Sequence, residues 1–102
     1  MANQDQIPGG VSPPKTATGE VQGYIDQVKR QVEQSVGRTL KTYKADEYRD
    51  QVVNGTNYFV KVDVGEDMFI HVDLYQALNG DITFTGCQDG KTKDNKITPP
   101  PN

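Results

Sequence analysis

The apolar period of this chain changes once, and that change constrains the fold more than any other feature. Val21, Ile25, Val28, Val32 and Val36 fall at spacings of four, three, four and four, which is one face of a helix. From Tyr58 onward the period is two. Tyr58, Val60, Val62 and Val64 alternate with Lys61 and Asp63, and Met68, Ile70, Val72 and Leu74 alternate with His71 and Asp73. Ile82 and Phe84 repeat the pattern opposite Thr83 and Thr85. Such alternation describes strands with one buried face. One N-terminal helix packed across a twisted antiparallel β-sheet, an α+β domain, satisfies both periods.

Local signals sharpen the boundaries. Thr18 can cap the helix, Glu20 lies in its first turn, and Gly37 can end it in the left-handed conformation, so the helix is expected over 18–37. Tyr24 widens the apolar stripe, while Gly19 and Gly23 weaken the helix and leave its stability to tertiary packing. In QVVNGTNYF, Asn54-Gly55 reads as a two-residue hairpin turn, because both residues tolerate positive φ. Residues 40–53 then form its partner strand, and their poorer alternation and many charges suit a sheet edge. Gly65-Glu66-Asp67 is a short polar turn.

The ends read differently. Residues 1–17 hold three prolines and two glycines without periodic apolar positions, so they form an extended, flexible trunk. The folded domain spans 18–96. Residues 97–102, ITPPPN, form a proline-rich tail expected to leave the sheet and fray.

Charge and composition exclude several functions. A net charge of −3 and a pI near 5.0 argue against nucleic acid and against an anionic membrane surface. No apolar run approaches the roughly 18 residues that span a bilayer. The start, MANQDQIPGG, has neither a basic nor an apolar leader region. Cys87 is the only cysteine, so no internal disulfide forms, and a cytoplasmic setting fits. One His and scattered carboxylates give no ligand spacing for a metal, and no glycine-rich loop opens the helix to hold a phosphate cofactor. His71, Asp73 and Cys87 are the residue types of nucleophilic catalysis, and the alternation puts all three on the outward sheet face. Without an oxyanion nest near Cys87 they read as solvated strand residues, and the chain does not read as an enzyme.

Several motifs together carry a resemblance. Ile7-Pro8-Gly9-Gly10, then one helix, then Gln51-Val52-Val53-Asn54-Gly55 followed by Thr56-Asn57-Tyr58, then Phe69-Ile70-His71-Val72 with Leu78-Asn79-Gly80 resemble the type 1 cystatins, or stefins, in order and spacing. The family's central motif has the form Q-x-V-x-G. Asn54 stands where Ala is common, Leu78-Asn79-Gly80 where Leu-Pro is usual, and Cys87 where an aromatic is common.

The resemblance implies a cystatin-like fold and reversible, tight-binding inhibition of papain-like cysteine proteases of cathepsin L, S, H or B type. A cystatin-fold binding or scaffold module with weak or no protease inhibition is the alternative. It also implies a three-part wedge that blocks the protease cleft: Ile7, Pro8, Gly9 and Gly10 of the trunk, with the key glycine at Gly9; Gln51, Val52, Val53, Asn54 and Gly55 of the first hairpin; and Leu78, Asn79 and Gly80 of the second. A monomer is expected, with a domain-swapped dimer as the alternative because opening a hairpin relieves strain at a tight turn.

Overall fold

A computed structural model describes residues 10–99. Five antiparallel strands form one sheet in the order of the chain, β1 (Lys15–Thr16), β2 (Lys44–Val53), β3 (Gly55–Asp63), β4 (Phe69–Gln76) and β5 (Ile82–Lys91). Two helical segments, α1 (Gly19–Gln27) and α2 (Lys29–Val36), fill the connection between β1 and β2.

The periodic stripe packs as its spacing requires. Val21, Ile25, Val28 and Val32 are buried against Val60, Val62, Ile70, Val72 and Leu74, each contributing about 1.5–3 kcal/mol by removal from water. Thr18 Oγ1 accepts the Val21 N–H at 3.2 Å, and Gly37 ends α2 with φ 78°. The helix expected over 18–37 is interrupted at Val28, whose N–H tightens onto the Ile25 carbonyl. The same carbonyl accepts the Tyr43 hydroxyl at 2.8 Å. Gln22 then ties helix to sheet, with Oε1 accepting the Ala45 N–H at 2.8 Å.

At both ends of the chain, more is ordered than the composition suggests. Residues 11–16 run antiparallel to β2, with Val11 opposite Gln51 and Lys15 opposite Tyr48. Pro13 and Pro14 lack N–H groups, so the ladder is broken there and only two residues form a regular strand. β2 is therefore covered along its outer side and is not the open edge expected of it.

At the other terminus, β5 runs to Lys91, and residues 92–97 fold back over the sheet face opposite the helices. Ile97, assigned to the tail by composition, is 2% exposed. Lys61 Nζ donates to the Lys93 carbonyl at 2.5 Å and pairs with Glu47 at 3.2 Å. Lys93 lies over the Phe69 ring. Under this cover Phe59, Lys61, Phe69 and His71 are all buried, so His71 is not the solvated residue that alternation implied.

Candidate functional site

The hairpin tip is tighter than a two-residue turn. Val52 pairs with Thr56 and Val53 with Gly55, leaving Asn54 alone at the bend. Among the described residues, Glu66 and Asp67 are the non-glycine positions with positive φ, so Asn54 does not share the left-handed geometry expected of it. Gly55 takes it alone, at φ 108°. A Cβ there would stand 2.6 Å from the Gln76 carbonyl and 2.7 Å from Tyr75 Cζ, closer than any side chain tolerates, so glycine is required on two grounds. The Tyr75 hydroxyl donates to the Asn54 carbonyl, and Asn57 Nδ2 donates across the hairpin to Gln51 Oε1 at 3.0 Å. Val52 and Val53 project from this braced bend, 56% and 41% exposed.

The second loop is short and closed by its own polar groups. The Gly80 N–H donates to the Ala77 carbonyl and the Ala77 N–H to the Asp81 carbonyl, each at 2.9 Å. Asn79 Oδ1 accepts the Asp81 N–H at 3.0 Å, an Asx-type closure. Gly80 has φ 97°, as the left-handed residue of a three-residue hairpin loop does. Leu78 stands at the apex, 81% exposed.

Sheet register brings these pieces together. Thr56 opposite Gln76 sets the tip of the first hairpin beside the start of the second loop. Val11 opposite Gln51 brings the N-terminal segment onto the sheet at the same end. Three of the four large apolar side chains exposed among the described residues, Val52, Val53 and Leu78, therefore crown one end of the sheet. The fourth, Met68, belongs to the turn at the opposite end. Gly10 is described; Ile7, Pro8 and Gly9 lie outside the described residues.

The family model for the cystatin domain matches residues 9–97. Cystatin-A of Mus musculus is 43% identical over 94 residues, covering 90% of this chain and 97% of that protein. The chain belongs to the cystatin family. Cystatin-A of Homo sapiens is 41% identical over 95 residues, with the same coverage of both chains. Leukocyte cysteine proteinase inhibitor 1 of Sus scrofa is 37% identical over 101 residues, 96% of this chain and 98% of its own. This cystatin falls among the type 1 members, the stefins, a group of cysteine protease inhibitors and not of enzymes.

The outward-facing trio expected from alternation does not exist in this cystatin. Asp73 pairs with Gly86 and Leu74 with Phe84, so Thr85 is an extra residue on β5. One extra residue inverts every following side chain. Cys87 consequently pairs with core residue Val72 and packs on the helix side, its Sγ donating to Ser35 Oγ at 3.3 Å. His71 and Asp73 face the other way, so thiol and imidazole lie on opposite faces and cannot act together. Among the described residues, neither nitrogen of His71 has a hydrogen-bond partner. Burial, then Lys91 and Lys61, hold its imidazole down at about 4. Burial raises the Asp73 carboxyl to about 6.

Among the described residues no group of three or more His, Cys, Asp or Glu could hold a metal ion, and no helix is long and apolar enough to cross a membrane. Sequence reasoning overlooked Tyr75, whose hydroxyl holds the first tip, Ser12, whose Oγ accepts the Asp50 N–H, and Arg49, whose Nε donates to the Ser12 carbonyl. A tyrosine two residues before a loop and a serine before two prolines carry no signal of those roles by themselves.

Proposed function

We propose that the crowned end of the sheet is a wedge that fills the active-site cleft of papain-like cysteine proteases and inhibits them reversibly. One observation carries this reading: Val52, Val53 and Leu78 are exposed on two braced, adjacent tips, at the end where the N-terminal segment joins the sheet. Apolar side chains on a preordered backbone dock with little loss of conformational freedom. Tight bends also keep their peptide bonds from the extended form a protease cleaves. Ile7 and Pro8 would supply apolar contact in the same cleft, with Gly9 turning the chain away from the nucleophilic cysteine.

Members of the cathepsin L, S, H and B types are the target class, met in the cytoplasm by a monomeric inhibitor. Titration of active papain with a small peptide substrate tests the reading. Complete inhibition near equal stoichiometry is expected. Undiminished papain activity would leave a binding or scaffold role, which the short second loop favours.

A further inference from the structure

We propose that Arg49 is a positioning residue for the wedge: its guanidinium clasps the two ends of the folded chain and fixes where the N-terminal trunk joins the sheet beside the first hairpin. The inference rests on the wedge reading and assigns a residue outside the three wedge elements.

Arg49 lies on β2 opposite Phe59, on the face turned away from the helices. Its Nε donates to the Ser12 carbonyl at 2.8 Å and its Nη1 to the Ile97 carbonyl at 2.7 Å. Each acceptor belongs to a residue that is itself anchored. Ser12 is 4% exposed, donates its N–H to the Asp50 carbonyl at 2.7 Å, and accepts the Asp50 N–H on Oγ at 2.9 Å. Ile97 is buried.

The clasp is placed where the ladder fails. Pro13 and Pro14 cannot donate to β2, so between the bridge at Val11 and the two residues of β1 the Ser12–Asp50 pair would otherwise be the only tie to β2 among the described residues. Charge-assisted bonds to two carbonyls are stronger than neutral ones. Separate nitrogens of one rigid planar fork bond the two carbonyls in fixed geometry; a lysine offers one flexible ammonium in its place. The chain thus joins the sheet at a set position before any partner arrives, and binding need not supply that order.

The test pairs hydrogen exchange on the free protein with inhibition of papain, using full-length variants. In Arg49→Ala the Ser12 amide should exchange at least about tenfold faster while those of Val60 and Val72 keep their rates. The inhibition constant should rise about tenfold, and Arg49→Lys should fall between Ala and wild type. The deciding measurement is a double-mutant cycle with Gly9→Glu, which disables the trunk. On that background Arg49→Ala should add less than about twofold, since the clasp acts through a trunk that no longer engages.

Additive losses, or unchanged Ser12 exchange, would overturn the clasp while leaving the wedge intact. Wild-type protein that leaves papain fully active would instead sink the wedge reading, and the role of Arg49 with it. Should Arg49→Ala fail to fold, Arg49→Lys carries the same cycle.

Discussion

Tyr75 on β4 donates its hydroxyl to the backbone oxygen of Asn54, at the bend between β2 and β3. Tyr75 also precedes the second loop by two residues, so one side chain holds the first tip against the base of the second. The two tips are therefore tied to each other by a side chain as well as by the β3–β4 ladder. Tyr75→Phe keeps the ring and removes the bond. Because a net hydrogen bond contributes about 1 kcal/mol, the inhibition constant for papain should rise roughly three- to tenfold. Most of that change should appear in the dissociation rate measured by progress curves. An unchanged constant would mean that the ring alone braces the tip.

Gly55 and Gly80 both have positive φ, but their surroundings differ. A Cβ on Gly55 would collide with the Gln76 carbonyl and the Tyr75 ring, whereas one on Gly80 would meet nothing within 4 Å. Gly80→Ala should therefore cost only backbone strain, about 1 kcal/mol in chemical unfolding. Gly55→Ala should cost on the order of 3 kcal/mol and displace the tip, weakening papain binding far more than Gly80→Ala. Equal costs at both positions would show that the tip yields freely around Tyr75.

The proposed wedge also ranks its apolar members. Val53→Asp would bury an unpaired charge in the cleft, at a cost on the order of 3 kcal/mol, so affinity should fall about a hundredfold or more. Leu78→Ala removes an exposed contact at a loop apex, a loss of about 1–2 kcal/mol. Dissociation constants for papain and a cathepsin L-type enzyme give the comparison. A larger loss at Leu78 would move the centre of the wedge to the second loop.

Acid stability should reflect two opposed groups on the covered face. His71, near Lys61 and Lys91 and opposed by Glu47, sits at about 4 against an ordinary 6.5. The unfolded chain thus binds the extra proton between those values, and stability falls as pH drops from about 6.5 to 4. Asp73, raised to about 6 from 3.8, acts in reverse: the folded form holds the proton, and stability rises as pH falls through that window. The His71 effect should be on the order of 2 kcal/mol. Thermal melts between pH 4 and 7 should show His71→Gln flattening the acid loss and Asp73→Asn deepening it. Identical profiles for wild type and His71→Gln would mean that the imidazole is protonated within the fold.

Helix stripe, sheet faces and hairpin order were legible in the sequence because burial imposes a period that residues such as Val32 and Ile70 must keep. The misreadings have local causes. The bulge at Thr85 adds one residue to β5, which no alternation rule foresees, and it reverses Cys87. Pro13-Pro14 hid the strand beside β2, since proline signals a break even where its neighbours Ser12 and Lys15 still pair. Ile97 looked like one apolar residue in a polar tail, yet with Arg49 and Lys61 holding the carbonyls of 97 and 93 it helps cover the part of that face that holds Phe59, Lys61, Phe69 and His71. Of the site, the exposed tips could be read from motif and turn chemistry. The hold of Tyr75 on the first tip and of Arg49 on the Ser12 carbonyl depends on tertiary approach, which spacing along the chain does not encode.

An inhibitor of proteases must itself survive among peptidases, and the seating of its two ends bears on that. Enzymes that trim from a terminus need several residues of unpaired, extended backbone. Val11, whose backbone bridges to Gln51, and Ser12, bonded through its N–H, carbonyl and hydroxyl, offer no such backbone near the amino end of the described residues. Near the carboxyl end Ile97 offers none either, being buried with its carbonyl held by Arg49. Trimming by aminopeptidase or carboxypeptidase should therefore halt at a ragged but bounded product, with the sheet and both tips intact.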